Sequence, residues 1–167
     1  MLPMNHHADQ FRIKVAESGD IPTILAFIHK LAEYERLSDQ VKITENQLFE
    51  TLFGPRPFAE VILAFEAGAC VGFACFFHNY STFKGRPGLY LEDIFVDPEH
   101  RGKGYGKQML RYLANLAVER NCARMEWAVL NWNQPAIDVY RAIGAKPMDE
   151  WTVFRLQGDK LLDLAGK

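Results

Sequence analysis

Apolar residues along this chain recur at two spacings, and the switches between them mark the elements. Residues 11–16 alternate apolar and polar and predict a first strand. Ile21, Ile24, Leu25, Ile28, Leu31 and Ala32 then recur at helical spacing, with Ser18 or Asp20 able to cap and Pro22 in the first turn. Tyr34-Glu-Arg-Leu-Ser-Asp-Gln40 breaks that pattern into a loop. Thr44-Glu-Asn-Gln47 has the form of a capping box and opens a second helix that ends near Gly54-Pro55. Residues 61–66 and 71–77 flank Ala67-Gly-Ala69 and predict a hairpin. Residues 80–88, with Gly85, Pro87 and Gly88, predict a loop, and 89–96 a strand. A helix is expected over 102–120, with Tyr105, Met109, Tyr112, Leu113 and Leu116 on one face. Strand 125–130, helix 135–143 (Pro at its start, Gly144 past its end) and strand 151–156 complete the pattern. The order β-α-α-β-β-β-α-β-α-β predicts one α/β domain over 11–167, a mixed central sheet flanked by helices, after a flexible tail over 1–10.

Composition narrows the function classes. The chain has 167 residues, 19 Lys plus Arg against 21 Asp plus Glu, and a formal charge of -2. That balance argues against nucleic acid as a partner, since such a surface is basic overall. No apolar run is long enough to span a membrane, and the first residues lack a signal-peptide pattern, so the expected compartment is the cytoplasm. The three cysteines, Cys70, Cys75 and Cys122, show no CxxC spacing and predict buried free thiols. His6 and His7 sit in a polar terminus without partnering ligands, and no metal site is expected.

The chemistry concentrates in Leu91-Glu-Asp-Ile-Phe-Val-Asp-Pro-Glu-His-Arg-Gly-Lys-Gly-Tyr-Gly106. A strand ends in a proline turn, and the chain runs through Arg101, Gly102, Lys103, Gly104, Tyr105 and Gly106 into a long helix. Glycines bring backbone N–H groups close to an anion, and a helix N-terminus presents unpaired donors and partial positive charge. Arg101, Lys103 and Lys107 add full charges. These parts describe a phosphate-binding site; the alternative is a glycine-rich turn with a solvated basic end. The spacing is neither G-x-G-x-x-G nor G-x-x-x-x-G-K-[ST].

Val96-x-Pro-x-x-Arg101-Gly-x-Gly-x-Gly106 resembles the acyl-CoA pyrophosphate loop of the GNAT superfamily of N-acetyltransferases, and the element order is similar over nearly the whole chain. Leu130-Asn-Trp-Asn-Gln-Pro-Ala-Ile-Asp-Val-Tyr140 resembles that family's late motif. Leu31-Ala-Glu-Tyr-Glu35, Gly54-x-x-Pro-Phe58, Tyr90-Leu-Glu-Asp-x-Phe-Val96 and Trp132-Asn-x-Pro135 are similar to the diamine group, the spermidine/spermine N1- and thialysine acetyltransferases. The resemblance implies a GNAT-like fold, acetyl-CoA as donor, a small-molecule primary amine (a polyamine or a thialysine-like amino acid) as acceptor, and a homodimer. It implies that backbone amides over 101–106 hold the pyrophosphate, that the strand at Ile94, Phe95 and Val96 pairs with the pantetheine arm, and that Asn133 hydrogen-bonds that arm. Capping of the turn before Pro135 is the structural alternative for Asn133. Tyr140 is the implied acid for the departing thiolate. With ordinary pKa values of roughly 10 for Tyr and roughly 8.5 for a thiol, full proton transfer is uphill by about 2 kcal/mol, so hydrogen bonding shares the role.

Glu92 and Asp93 lie between apolar strand residues, and strict alternation sends them to opposite faces. Burying adjacent carboxylates is costly and calls for a reason. An amine that arrives as a cation and must lose a proton supplies one: Glu92 accepts the proton, through water, while Asp93 attracts the cation or binds a backbone group. Tyr34 and Glu35 join them in the acceptor site by resemblance. Lys84 and Arg86 are basic for a polyamine site and suit an acceptor that carries a carboxylate. The alternatives are a peptide N-terminus or aminoglycoside-like amine as acceptor, or an acyl-CoA-binding module without chemistry. The near-zero charge hides a local separation: Glu92, Asp93, Asp97 and Glu99 precede His100, Arg101, Lys103, Lys107 and Arg111.

Overall fold

The computed structural model describes residues 11–167; the expected tail over 1–10, with the His6–His7 pair, lies outside them. The described residues divide into two compact units, one reaching to Ala128 and the other over Val129–Lys167.

The first unit carries a five-stranded sheet in the order β1-β2-β3-β4-β5. β1 (Arg12–Val15), β2 (Glu60–Glu66), β3 (Ala69–Ser81) and β4 (Arg86–Val96) pair antiparallel in succession, and β5 (Met125–Trp127) adds to β4 in parallel. Helix α1 (Ile21–Glu35) covers one face, where Ile24, Phe27 and Leu31 pack with Val61, Leu63, Phe73 and Phe95. Helix α3 (Tyr105–Glu119) buries Met109, Leu110 and Leu113. Helix α2 (Glu45–Leu48) starts at the expected capping box: Gln47 N–H donates to Thr44 Oγ1 at 3.3 Å and Thr44 N–H to Gln47 Oε1 at 2.9 Å. A π-helical turn over Phe49–Phe53 follows it up to Gly54.

Several expectations are revised. Tyr34 and Glu35 are not in a loop; α1 runs through them and stops because Arg36 turns left-handed, at φ 61°. Residues 80–88 are not a loop but the end of a long hairpin, with Ser81 paired to Arg86 and Tyr80 to Pro87. Proline is tolerated there because it stands at the start of its strand, and its carbonyl still accepts from Ala123 N–H at 2.7 Å. Helix α3 begins at Tyr105 rather than 102, since Gly102 and Gly104 both sit at φ 79°.

The largest revision concerns β4. Asp93 pairs with Cys75, and Leu91 with the adjacent Phe76, so Glu92 is an extra residue in the ladder, a β-bulge. Cys75 and Phe76 face opposite sides by alternation, and cross-strand partners share a side. Leu91 and Asp93, two apart, therefore face opposite sides. The bulge breaks the strict alternation expected through Glu92 and Asp93 and places Asp93 on the α1 side with Cys75 and Phe73. Parallel pairing with β5 covers only Leu89–Leu91 and stops where the bulge begins, which leaves β5 shorter than the expected 125–130.

In the second unit, α4 (Gln134–Ala142) and α5 (Asp159–Ala165) are the helices. The strand expected over 151–156 is absent among the described residues. Aromatic and β-branched residues make a strand only where a neighbour takes up the backbone groups, and none does. Helix α5 was not foreseen; Asp159 in its first turn and Gly166 beyond its end are its local signals.

Candidate active site

The β4–β5 divergence leaves a stretch of strand edge open. Asp97 N–H donates to Val71 O at 2.9 Å, which fixes Asp97 and Phe95 as residues whose backbone groups point to β3. Ile94 and Val96 lie between them and point to the opposite edge, where β5 no longer runs. Such an edge can take an extended ligand by strand-like pairing. Phe95, expected with them at the cofactor, is turned the other way. Its side chain is 4% exposed, edge-on to Phe27, and its backbone serves the sheet.

The glycine loop follows directly. Gly102 and Gly104 adopt a left-handed backbone, and no heavy atom stands within 4 Å of where a Cβ would sit at either. Glycine is required there by conformation rather than by space. Gly104 leads into α3, so the N–H groups of its first turn meet the loop. The side chains are already engaged. Arg101 Nε donates to Val96 O at 3.0 Å, and its guanidinium lies 4.4 Å from the Tyr34 ring centroid and 5.3 Å from that of Phe95. Lys103 Nζ contacts both carboxylate oxygens of Glu66, at 2.8 and 2.9 Å. Lys107 is exposed on α3. Asp97, between strand and loop, pairs with Lys30 of α1. The separated charges of the sequence are thus partly paired within the fold.

On the α1 side, burial and the nearby carboxylates of Glu92 and Glu35 push the Asp93 carboxyl up to about 6. That coupling brings three carboxylates into one electrostatic neighbourhood: one from the end of α1 and two from the bulge. Burial also raises Glu35. Glu92 is exposed, Asp93 and Glu35 are half-buried. A desolvated group of like charges is stabilised by a cation. Tyr34 stands on the same last turn of α1, its ring 6.1 Å from that of Phe95. The Cys75 thiol, across the ladder from Asp93, is pushed up to about 12 by burial and by Asp93 and Glu92, which removes it as a nucleophile near neutral pH. All three cysteines are free.

Arg86, expected to meet an acceptor carboxylate, instead donates from Nη1 to Asn121 Oδ1 at 2.9 Å and ties the hairpin to the end of α3. Lys84 is exposed in the hairpin turn. Among the described residues no group of three or more His, Cys, Asp or Glu side chains is arranged to hold a metal ion, and no helix is long and apolar enough to cross a membrane.

In the second unit, Asn133 is the N-cap of α4 and accepts from Ala136 N–H at 3.4 Å, so the capping role is real. Tyr140 lies in the second turn of that helix, seven residues on and on the same face. Glu66 had no signal in the sequence, and only the tertiary pairing with Lys103 and Tyr105 reveals it.

An open strand edge thus runs into a left-handed glycine loop at a helix start, with a carboxylate cluster on the α1 side. Residues 25–145 match the family model of the acetyltransferase (GNAT) family, and the chain belongs to that family. It is 44% identical over 166 residues to a thialysine N-epsilon-acetyltransferase of Bos taurus, covering 93% of this chain and 97% of the relative. It is 32% identical to the L-ornithine N5-acetyltransferase NATA1 of Arabidopsis thaliana, covering 90% and 86%. An integron cassette protein from the mobile metagenome of V. cholerae superposes with a TM-score of 0.80 at 28% identity, covering 94% of this chain and 98% of that one. The protein is an acetyl-CoA-dependent N-acetyltransferase with a GNAT-like α/β fold.

Proposed function

We propose that the acceptor is the primary amine of a small molecule carrying a second polar end, a diamino acid of the thialysine kind or a short polyamine. The observation that carries this reading is the coupled carboxylate cluster of Glu35, Glu92 and Asp93. An ammonium group entering it offsets the repulsion that raises Asp93 and draws that carboxyl back to its ionised form. The relatives support the amino-acid form: one is named for thialysine and one for ornithine.

In this reading the backbone of Ile94 and Val96 pairs with the pantetheine arm, and the amides over 101–106, with Lys107, hold the pyrophosphate. The donor supplies an acetyl group activated as a thioester. Asp93 and Glu35 hold the ammonium end of the acceptor against Tyr34. Glu92, the exposed member, takes the ammonium proton through water. The free amine attacks the thioester carbonyl, the N–C bond forms and the C–S bond breaks, the nitrogen releases its second proton through the same water, and Tyr140 donates a hydrogen bond or proton to the departing sulfur. Asn133 holds the pantetheine arm with its amide while its oxygen caps α4. A single N-acetyltransferase domain over 11–167 belongs to the same reading, supported by a family match over residues 25–145. A homodimer and a cytoplasmic compartment belong to the same reading, the latter supported by three free thiols.

A thiol-release assay with acetyl-CoA against thialysine, lysine, ornithine, putrescine, spermidine and a peptide amine tests it. Diamino acids or short diamines should turn over best. Preference for the peptide amine would reject the acceptor class.

A further inference from the structure

Glu66 ends β2, 37 residues before Lys103 in the chain, yet it gathers the second half of the glycine loop onto itself. Its carboxylate takes Lys103 Nζ on both oxygens and the Tyr105 hydroxyl on Oε1, with His100 Nε2 at 3.5 Å from Oε2. Tyr105 is itself fixed: its side chain is buried and its ring stacks on Phe11 at 4.3 Å between centroids. The two glycines beside Lys103 gain nothing from packing, since no heavy atom stands near either Cα in the side-chain direction. A glycine pair in left-handed conformation without packing has high conformational freedom unless its neighbours are tethered. Arg101 tethers one end, through Val96 O and Tyr34. Glu66 is the tether at the other.

We propose that Glu66 is a positioning residue that preorganises the loop over 101–106 for the acyl-CoA phosphates, acting through Lys103 and Tyr105. The proposal rests on reading that loop as the phosphate site. A carboxylate near an anion site weakens binding by charge alone; here that charge is already matched by Lys103, so the ordering effect dominates. The Tyr105 hydroxyl is pushed up to about 12 by its bond to Glu66, and so stays a donor throughout the working pH range.

The test is direct calorimetric binding of acetyl-CoA and CoA, with steady-state kinetics, on full-length variants. Glu66→Ala should weaken acetyl-CoA about tenfold in Kd and KM while kcat stays within about twofold, because ordering is lost before chemistry. Glu66→Gln, which still accepts from Tyr105 but drops the charge on Lys103, should fall between. Glu66→Ala combined with Tyr105→Phe should bind no worse than Glu66→Ala alone, since both cut the same tether. Should Glu66→Ala fail to fold, Tyr105→Phe, which keeps the buried ring, carries the test with a smaller loss in the same direction. Unchanged or tighter binding, or fully additive losses, would overturn the proposal. Gly104→Ala separates the two levels. If it leaves binding intact, the loop reading falls and this proposal with it; if it weakens binding while Glu66→Ala does not, this proposal alone falls.

Discussion

The guanidinium of Arg101 lies over the ring of Tyr34, 4.4 Å from its centroid. One residue opens the glycine loop and the other belongs to the last turn of α1, where the carboxylate cluster begins. The contact joins the donor and acceptor sides of the proposed site through one charged side chain, which also closes on Val96 O of the open edge.

Changing Tyr34 should therefore be felt on both sides. Tyr34→Leu removes the aromatic face, and with it an attraction of about 0.5–2 kcal/mol. KM for acetyl-CoA and for the amine should both rise severalfold. Tyr34→Phe keeps the face and should leave KM for acetyl-CoA near its starting value. A Leu variant with unchanged acetyl-CoA KM would show that the stack couples nothing.

Asp93 sets a pH dependence. Its folded-state pKa of about 6 exceeds the ordinary 3.8 of its carboxyl. A raised pKa means that the folded state favours the proton, so stability from this group is fully present below about 3.8 and lost as pH rises through 6. Asp93→Asn should accordingly stabilise the free protein at pH 7–8 by up to about 3 kcal/mol and much less near pH 4. The opposite sign holds for function: KM for the amine should rise as pH falls through 6 in the parent, and the Asn variant should lack that limb. Denaturant titrations and amine KM values across pH 4–8 check both.

Tyr140→Phe keeps the shape of α4 and removes one hydroxyl. Turnover should drop by about 10- to 100-fold with KM for acetyl-CoA near normal, the pattern of a group that acts on the leaving thiolate. Glu92→Gln should cut turnover as well and alter its pH profile. A Phe variant at full rate would remove Tyr140 as the acid.

Gly72 is a steric requirement. A Cβ there would stand 2.8 Å from Phe95 O and 3.4 Å from Met109 Sδ and Val96 Cγ2. Gly72→Ala should cost about 1–3 kcal/mol of stability, seen as a lower Tm. Because the strain falls on Phe95 and Val96, acetyl-CoA binding should weaken too.

Local chemistry was legible in the sequence. The Thr44–Gln47 capping box formed as written, since both partners lie within one turn. The loop at Gly102 and Gly104 took its left-handed backbone, which few residues other than glycine adopt readily. Tyr34, Glu35, Glu92 and Asp93 were singled out, and three of them proved to be electrostatic neighbours. What failed was non-local. The extra residue at Glu92 leaves no mark in composition, because a bulge exists only relative to the partner strand. Residues 80–88 carry turn residues, yet β3 and β4 pair along them, since the hairpin extends the ladder. Residues 151–156 carry the aromatic and β-branched residues of a strand and found no neighbour. The sequence by itself determined the elements, the glycine loop and the kinds of charge available, because periodicity and turn preference act over a few residues. Only the tertiary structure decided which edge stays open, which way Asp93 faces and that Glu66 holds the loop. Register and side-chain pairing join residues dozens of positions apart, and only packing brings them together.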